Sequence, residues 1–258
     1  MPIFGGSKPT ADGLPVIKAL AEDRIDLENA QVLALTFEVL SEAAIAALPA
    51  ALHPPFPTYC SLILRRHDDS PFGPFTTAEL RLHARATNHY VGYILGGFTD
   101  NEKVSAWLEN GYGKRLAVAE AVSLKKRHYG YEAKVMKGGR TLLNAVVENP
   151  TQIAGVDVLH VQNSVLAVLD GAPALIAEEF EFKIKEARRG PAHYHDLGGK
   201  FPMTLDMAAF GAPTLTVSNH LPATWILADW SYMPVRFVID PLKPAVAGTR
   251  KIGQPAAA

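Results

Sequence analysis

Lys114 and Arg115 stand side by side in NGYGKRLA, residues 110–117, framed by glycines and a tyrosine and followed by apolar residues. A lysine amine attacks a carbonyl carbon only when it is neutral, and near neutral pH it reaches that state through burial or a neighbouring positive charge. Arg115 offers the second route, because a guanidinium keeps its charge. Adjacent basic residues taken alone also suit a solvated face. Tyr112 before the pair and Leu116, Ala117 and Val118 after it argue for less exposure.

Other chemistry-bearing residues are weaker candidates. In FTTAELRLHAR, strand alternation puts Thr77, Glu79 and Arg81 on one face, where Glu79 can serve as an acid or base or merely neutralise Arg81 at the surface. His193 and His195 of HYH could form half of a metal site, but no second ligand cluster completes it, so no metal is expected. LKKRH, residues 124–128, reads as a solvated strand end. The single Cys60, within TYCSLIL, reads as a small core residue. No G-x-S-x-G elbow, phosphate loop or dinucleotide fingerprint is present, and no cofactor is expected.

The lysine pair needs elements to hold it. Thr99 and Glu102 suit a capping box, and Val104, Trp107 and Leu108 recur at helical spacing until Asn110-Gly111 supplies a stop. QVLALTFEVL reads as a buried strand, followed by a short helix in SEAAIAALPAAL with Ser41 as its cap. TYCSLILRR, TTAELRLHARA and HYVGYILGGF are close enough in sequence to favour antiparallel pairing. AVAEAVSL, YGYEAKVM and TLLNAVVE look like strands, with KGGR as a hairpin turn. VDVLHV, SVLAVL, EEFEFKIKEA, TLTVS and VRFVID add further strands, whereas LPATWILADW suits a helix near the C-terminus. The first dozen residues and GTRKIGQPAAA read as tails, and no linker divides the chain. The expectation is one α+β domain over 1–258, built on a large antiparallel sheet that is curved or closed.

The composition narrows the class. Lys plus Arg number 25 against 26 Asp plus Glu, a net charge of −1 that suggests neither nucleic acid nor an anionic membrane as partner. Of the 258 residues 48% are hydrophobic and 20% charged, and no apolar run approaches the roughly 18–20 residues of a membrane span. A basic segment followed by an apolar one is missing from the N-terminus, and one cysteine forms no internal disulfide. A cytoplasmic protein with a small-molecule partner is expected.

Tyr112-Gly113-Lys114-Arg115-Leu116 resembles the signature of the acetoacetate decarboxylase family: an aromatic residue, proline, two lysines and leucine shortly after a helix. AAIAALPAAL, FGPFTT, QNSVLAVLDGAP and ATWILADWSYMPVRFVID resemble further family segments, in order, from about residue 27 to 242. The resemblance implies a cone-like antiparallel β barrel with a few flanking helices, an oligomeric assembly and a Schiff-base lysine at Lys114, with Arg115 as the cation that activates it. The family's catalytic glutamate falls on Thr77, with Glu79 two residues later on the same face. A second glutamate falls on Leu62, and the arginine associated with the substrate carboxylate falls near Ala30. With Tyr112, these positions would line the substrate site, and exchanging acids and a cation for Leu, Thr and Ala implies a larger, less polar substrate.

The implied activity is that of a carbon–carbon lyase working through an iminium on a ketone or β-keto acid, by decarboxylation or by aldolase- or dehydratase-type chemistry. The alternative is a non-catalytic protein that keeps the family cavity to bind an apolar carbonyl compound.

Overall fold

A computed structural model describes residues 4–87, 89–156, 160–193 and 204–252. Strand β1 (Ile25–Val39) is followed by helix α1 (Ser41–Ala47) and three long strands, β2 (Tyr59–His67), β3 (Phe75–Ala86) and β4 (His89–Thr99). Helix α2 (Glu102–Tyr112) leads through β5 (Ala117–Val118) into a meander of β6 (Ala121–Arg127), β7 (Gly130–Lys137) and β8 (Arg140–Glu148). β9 (Thr151–Gln152) precedes a hairpin of β10 (Gln162–Leu169) and β11 (Ala172–Gly190). The chain then forms the short β12 (Ala192–His193), β13 (Thr204–Leu205) and β14 (Val217–His220). It ends with β15 (Ala223–Tyr232), β16 (Phe237–Ile239), α3 (Ala245–Gly248) and β17 (Thr249–Lys251). Among the described residues no helix is long and apolar enough to cross a membrane.

The principal sheet closes on itself. Its path runs β10-β4-β3-β2-β1-β15-β11, and β11 pairs again with β10. All contacts around this ring are antiparallel except the β10–β4 pair. A second sheet, β12-β8-β7-β6 with β13 on β8, packs against it. The ring strands are therefore covered on both sides, and in β3 every residue but Arg85 is buried.

Alternation sorts the residues of β2 and β3 between two cores. Leu62, Leu64, Ala78, Leu80 and Leu82 share a cluster with Leu124, Tyr131 and Val135 of the second sheet. The opposite face looks into the ring and carries Ile63 and Phe75 beside the aromatic residues Phe180, Trp230 and Tyr232 and the α2 residues Val104, Leu108 and Tyr112. Along this inner face β3 carries a polar row of Thr77, Glu79, Arg81 and His83, all buried.

Several sequence expectations change in detail. LPATWILADW is strand β15, held between β1 and β11; a run that is apolar on both faces suits a sandwiched strand as well as a helix. Asn101, not Thr99, caps α2 by accepting from the Lys103 and Val104 backbone N–H groups, while Thr99 Oγ1 donates to the Thr76 carbonyl at 3.0 Å. Helix α1 begins at Ser41 with no side-chain cap, and the Ser41 hydroxyl instead pairs with Thr58 at 3.0 Å. The expected N-terminal tail is fastened to the region of α1 through Gly5, Gly6 and Ser7. In VDVLHV, the described Val156, His160 and Val161 lie outside any strand, and residues 157–159 lie outside the described residues. KGGR is a hairpin turn, with φ of 59° and 69° at Gly138 and Gly139.

α2 continues one residue past the expected stop, to Tyr112, and Gly113 caps it at φ 67°. The Gly113 N–H donates to the Glu109 carbonyl at 3.1 Å and the Lys114 N–H to Leu108 at 3.0 Å. A Cβ on Gly113 would come within 2.3 Å of Ala167 Cβ. Gly113→Ala combines left-handed strain with overpacking and is expected to cost roughly 2–4 kcal/mol, read as a fall in urea midpoint at unchanged slope.

The inner face also holds a neutral histidine pair. His83 Nε2 and the Ser61 hydroxyl lie 2.7 Å apart, Ser61 continues to Thr36 at 2.9 Å, and the His83 and His160 rings meet edge to face at 4.5 Å. Burial first, and then the Arg81 charge, push His83 down to about 4. A depressed histidine contributes stability that is present above its ordinary value near 6.5 and is lost as pH falls towards 4, here about 3 kcal/mol. Thermal melts between pH 7 and 4 are expected to fall less steeply for His83→Asn than for the parent chain.

Candidate active site

Lys114 enters the ring from the end of α2, fully buried. The next residues alternate. Arg115 turns outward, where it pairs with Glu109 at 2.8 Å and remains about half exposed, and Leu116 turns back into the core. Successive residues of an extended segment point to opposite sides, so Lys114 and Arg115 cannot both face inward. Arg115 is therefore not the cation beside the Lys114 amine.

That place is taken by residues of β2 and β3. Lys114 Nζ donates to Glu79 Oε1 at 3.2 Å and also to Glu178 Oε1 on β11. Arg65 donates to the same Glu79 oxygen. Arg81 donates to Glu79 Oε2 from Nη2 at 2.6 Å and from Nε at 3.2 Å. Glu178 Oε2 accepts from Asn163 Nδ2 at 2.7 Å. The strand registers account for these contacts. Arg65 lies opposite Thr77 and so reaches Glu79 diagonally, and Asn163 lies directly opposite Glu178.

The five charged side chains are essentially without solvent exposure. Arg65 also rests on an aromatic wall, its guanidinium carbon 5.1–5.5 Å from the rings of Phe180, Trp230 and Tyr232. Burial alone would raise Glu79, but Arg65, Lys114 and Arg81 together hold its carboxyl well below the usual range. Burial is also the main influence on Lys114 and pushes it down. Glu178 and Glu79 oppose that shift, Arg65 adds to it, and the net direction is downward.

Counting charges leads to the same direction. Fully ionised, the cluster holds three cations against two carboxylates. Arginine does not lose its proton in a protein, so Lys114 is the group able to discharge the excess. Donors belonging to the cluster also remain available. Among the described residues, Arg65 Nε and Nη1 and Arg81 Nη1 are buried without a hydrogen-bond partner. Buried donors of this kind suit an incoming anion or polar oxygen.

The remaining expected site residues divide. Glu79 lies at the centre of the cluster rather than at the surface. Thr77 faces the ring, with its buried Oγ1 unpartnered among the described residues. Tyr112 is buried below, its hydroxyl donating to the Met233 carbonyl at 3.0 Å. Ala30 lies on the inner face of β1, opposite Ala228 of β15. Leu62 points the other way, into the core shared with the second sheet, because it is one residue out of phase with Ser61 and Ile63. The buried cluster carries five charged side chains, so its surroundings are strongly polar where an apolar lining was expected. The residues that sequence reasoning passed over are Arg65, Glu178 and Asn163. Their signal is a polar residue at inner-face parity within a buried strand, as in Ser61-Ile63-Arg65.

His193 lies at the end of β12, Tyr194 and His195 fall outside the described residues, and no metal-holding group of three or more ligands occurs among the described ones.

Neither a family profile nor a curated protein sequence matches the chain. Solved structures do. Acetoacetate decarboxylase from Legionella pneumophila superposes with a TM-score of 0.66 at 16% identity, covering 87% of this chain and 92% of that one. The enduracididine biosynthesis enzyme MppR, solved with pyruvate, gives 0.62 at 14% identity, covering 86% and 97%. An acetoacetate decarboxylase-like enzyme from Sphingomonas wittichii RW1 gives 0.60 at 14% identity, covering 89% and 98%. At these identities the likeness concerns architecture: the chain has the fold shared by acetoacetate decarboxylase and the acetoacetate decarboxylase-like enzymes.

Proposed function

We propose that the chain is a carbon–carbon lyase in which Lys114 forms a Schiff base with a keto acid. The observation that carries this reading is the fully buried Lys114 amine, held among Glu79, Glu178 and two permanent cations. Burial and excess positive charge favour the neutral, nucleophilic amine. The likeness of fold to a decarboxylase and to an enzyme solved with pyruvate supports the same chemistry.

The amine adds to the carbonyl carbon, and loss of water gives an iminium bearing one positive charge. A substrate carboxylate brings one negative charge to the unpartnered Arg65 and Arg81 donors, so the net charge of the cluster stays constant. In a β-keto acid the bond to the carboxyl carbon then breaks. Its electron pair moves into the iminium, CO₂ leaves and a neutral enamine remains. Glu79, fixed by both arginines, stays ionised and holds them in place.

Borohydride reduction in the presence of pyruvate or acetoacetate, read by intact mass, is expected to add one pyruvate, or one acetoacetate less its CO₂, to the parent chain and nothing to Lys114→Ala. Arg115→Gln is expected to retain the adduct, because its side chain lies outside the cluster. Trapping is expected to decline as pH falls through the depressed lysine value, where the amine takes up a proton. Absence of an adduct from the parent chain at every pH would refute this reading.

Arg81→Lys keeps the charge but loses the free Nη1 donor. About a tenfold rise in KM is expected for a keto acid, with a neutral diketone unaffected. A second reading, a carbonyl-binding protein without turnover, draws on the complete enclosure of the charged cluster. Adduct formation from acetoacetate without CO₂ release would favour it.

A further inference from the structure

Two carboxylates touch the Lys114 amine, and their surroundings differ. Both oxygens of Glu79 are committed to cations, Oε1 to Arg65 and Lys114 and Oε2 to Arg81. A proton on Glu79 would leave two buried guanidinium groups without their counter-ion, a severe penalty for groups that cannot discharge. Glu178 is less tightly committed: its charge acts on Arg65 and Arg81, but among the described residues no arginine hydrogen-bonds it. Among the described residues its hydrogen-bond donors are Lys114 and the neutral amide of Asn163.

The Asn163 contact suits both protonation states. It reaches Oε2, so a proton arriving at Oε1 from Lys114 leaves that hydrogen bond intact, with Oε2 then a carbonyl acceptor. The contact is also built into the sheet. Asp170-Gly171, both at positive φ, make a two-residue hairpin turn between Leu169 and Ala172, and this register places Asn163 opposite Glu178. The pair therefore stands on rigid strands, one oxygen held and the other facing the amine.

We infer that Glu178 carries protons for Lys114, with Asn163 as the residue that positions it. The inference rests on the Schiff-base reading above. Glu178 takes a proton from the Lys114 ammonium, leaving a neutral amine and a carboxylic acid. The amine nitrogen bonds to the carbonyl carbon, and the carbon–oxygen π pair moves to oxygen. The acid proton of Glu178, together with a proton from the nitrogen, leaves with that oxygen as water. The result is an iminium beside a Glu178 carboxylate. That carboxylate then removes a proton from the carbon next to the iminium. The C–H pair becomes the carbon–carbon double bond, the carbon–nitrogen π pair returns to nitrogen, and Glu178 holds the proton for return to carbon.

The test uses exchange at that carbon, which needs no knowledge of the natural substrate. Pyruvate, acetoacetate and butanone are incubated in D₂O with the full chain, deuterium uptake is followed by proton NMR, and borohydride trapping is run in parallel. The parent chain is expected to trap and to exchange. Glu178→Gln is expected still to trap at long incubation but to exchange at least about 100-fold more slowly, the usual scale for loss of a general base. Glu178→Asp is expected to recover part of that loss, and Asn163→Ala to move the pH profile of exchange rather than abolish trapping.

Exchange by Glu178→Gln within about threefold of the parent, at an unchanged pH profile, would overturn the role of Glu178 while leaving Schiff-base formation standing. So would trapping without exchange in the parent chain. If no carbonyl compound is trapped by the parent chain, the Schiff-base reading fails and this inference fails with it. Should Glu178→Gln not fold, as judged by its thermal melt, Glu178→Asp and Asn163→Ala decide: parent-like exchange rates and pH profiles in both count against the assignment.

Discussion

A ring of strands encloses three side chains that carry positive charge and two that carry negative charge, and the structure around them follows from that imbalance. Such groups cannot be buried singly. Glu79 satisfies two arginines at once, one diagonally across β2 and β3 and one along its own strand. The aromatic wall of Phe180, Trp230 and Tyr232 gives the Arg65 guanidinium a face to rest on. What remains unmatched falls on Lys114, the one cation of the cluster that can give up its proton.

Ring closure brings these residues together. β3 and β11 are not neighbours, yet each supplies a carboxylate to the same amine, which requires the sheet to curve until its inner faces meet around the α2 terminus. The second sheet contributes indirectly. By covering the outer face of β2 and β3 with Leu124, Tyr131 and Val135, it gives the even-numbered residues Leu62, Leu64, Leu80 and Leu82 an apolar environment, and the odd-numbered neighbours are held facing the interior. Gly113 completes the arrangement by turning the chain where a side chain has no room.

Much of this was legible in the sequence, for identifiable reasons. The helix ahead of Lys114, the KGGR hairpin and most of the strands follow from local periodicity and turn chemistry. The shared face of Thr77, Glu79 and Arg81 follows from alternation. LPATWILADW was misleading because a strand covered on both sides loses its period-two signal, and Arg115 because adjacency in sequence is not adjacency in space. Arg65 and Glu178 could not be paired with Lys114 from local pattern. Their meeting depends on non-local strand pairing, and a charged residue within an apolar strand reads as an exposed edge until the ring is known to close over it. Leu62, aligned with a family position, failed on parity by a single residue.

The alternation at Lys114, Arg115 and Leu116 makes the identity of the interior base a matter of counting. One residue more or fewer between Gly113 and β5 would exchange the two cations, bringing a guanidinium into the ring and sending the amine to solvent. Both cations and the helix would be kept, but the interior would hold a third cation unable to release a proton. Chain length in this short connection is thus under a chemical constraint, and a loop that could accommodate extra residues elsewhere in the fold has no such freedom here.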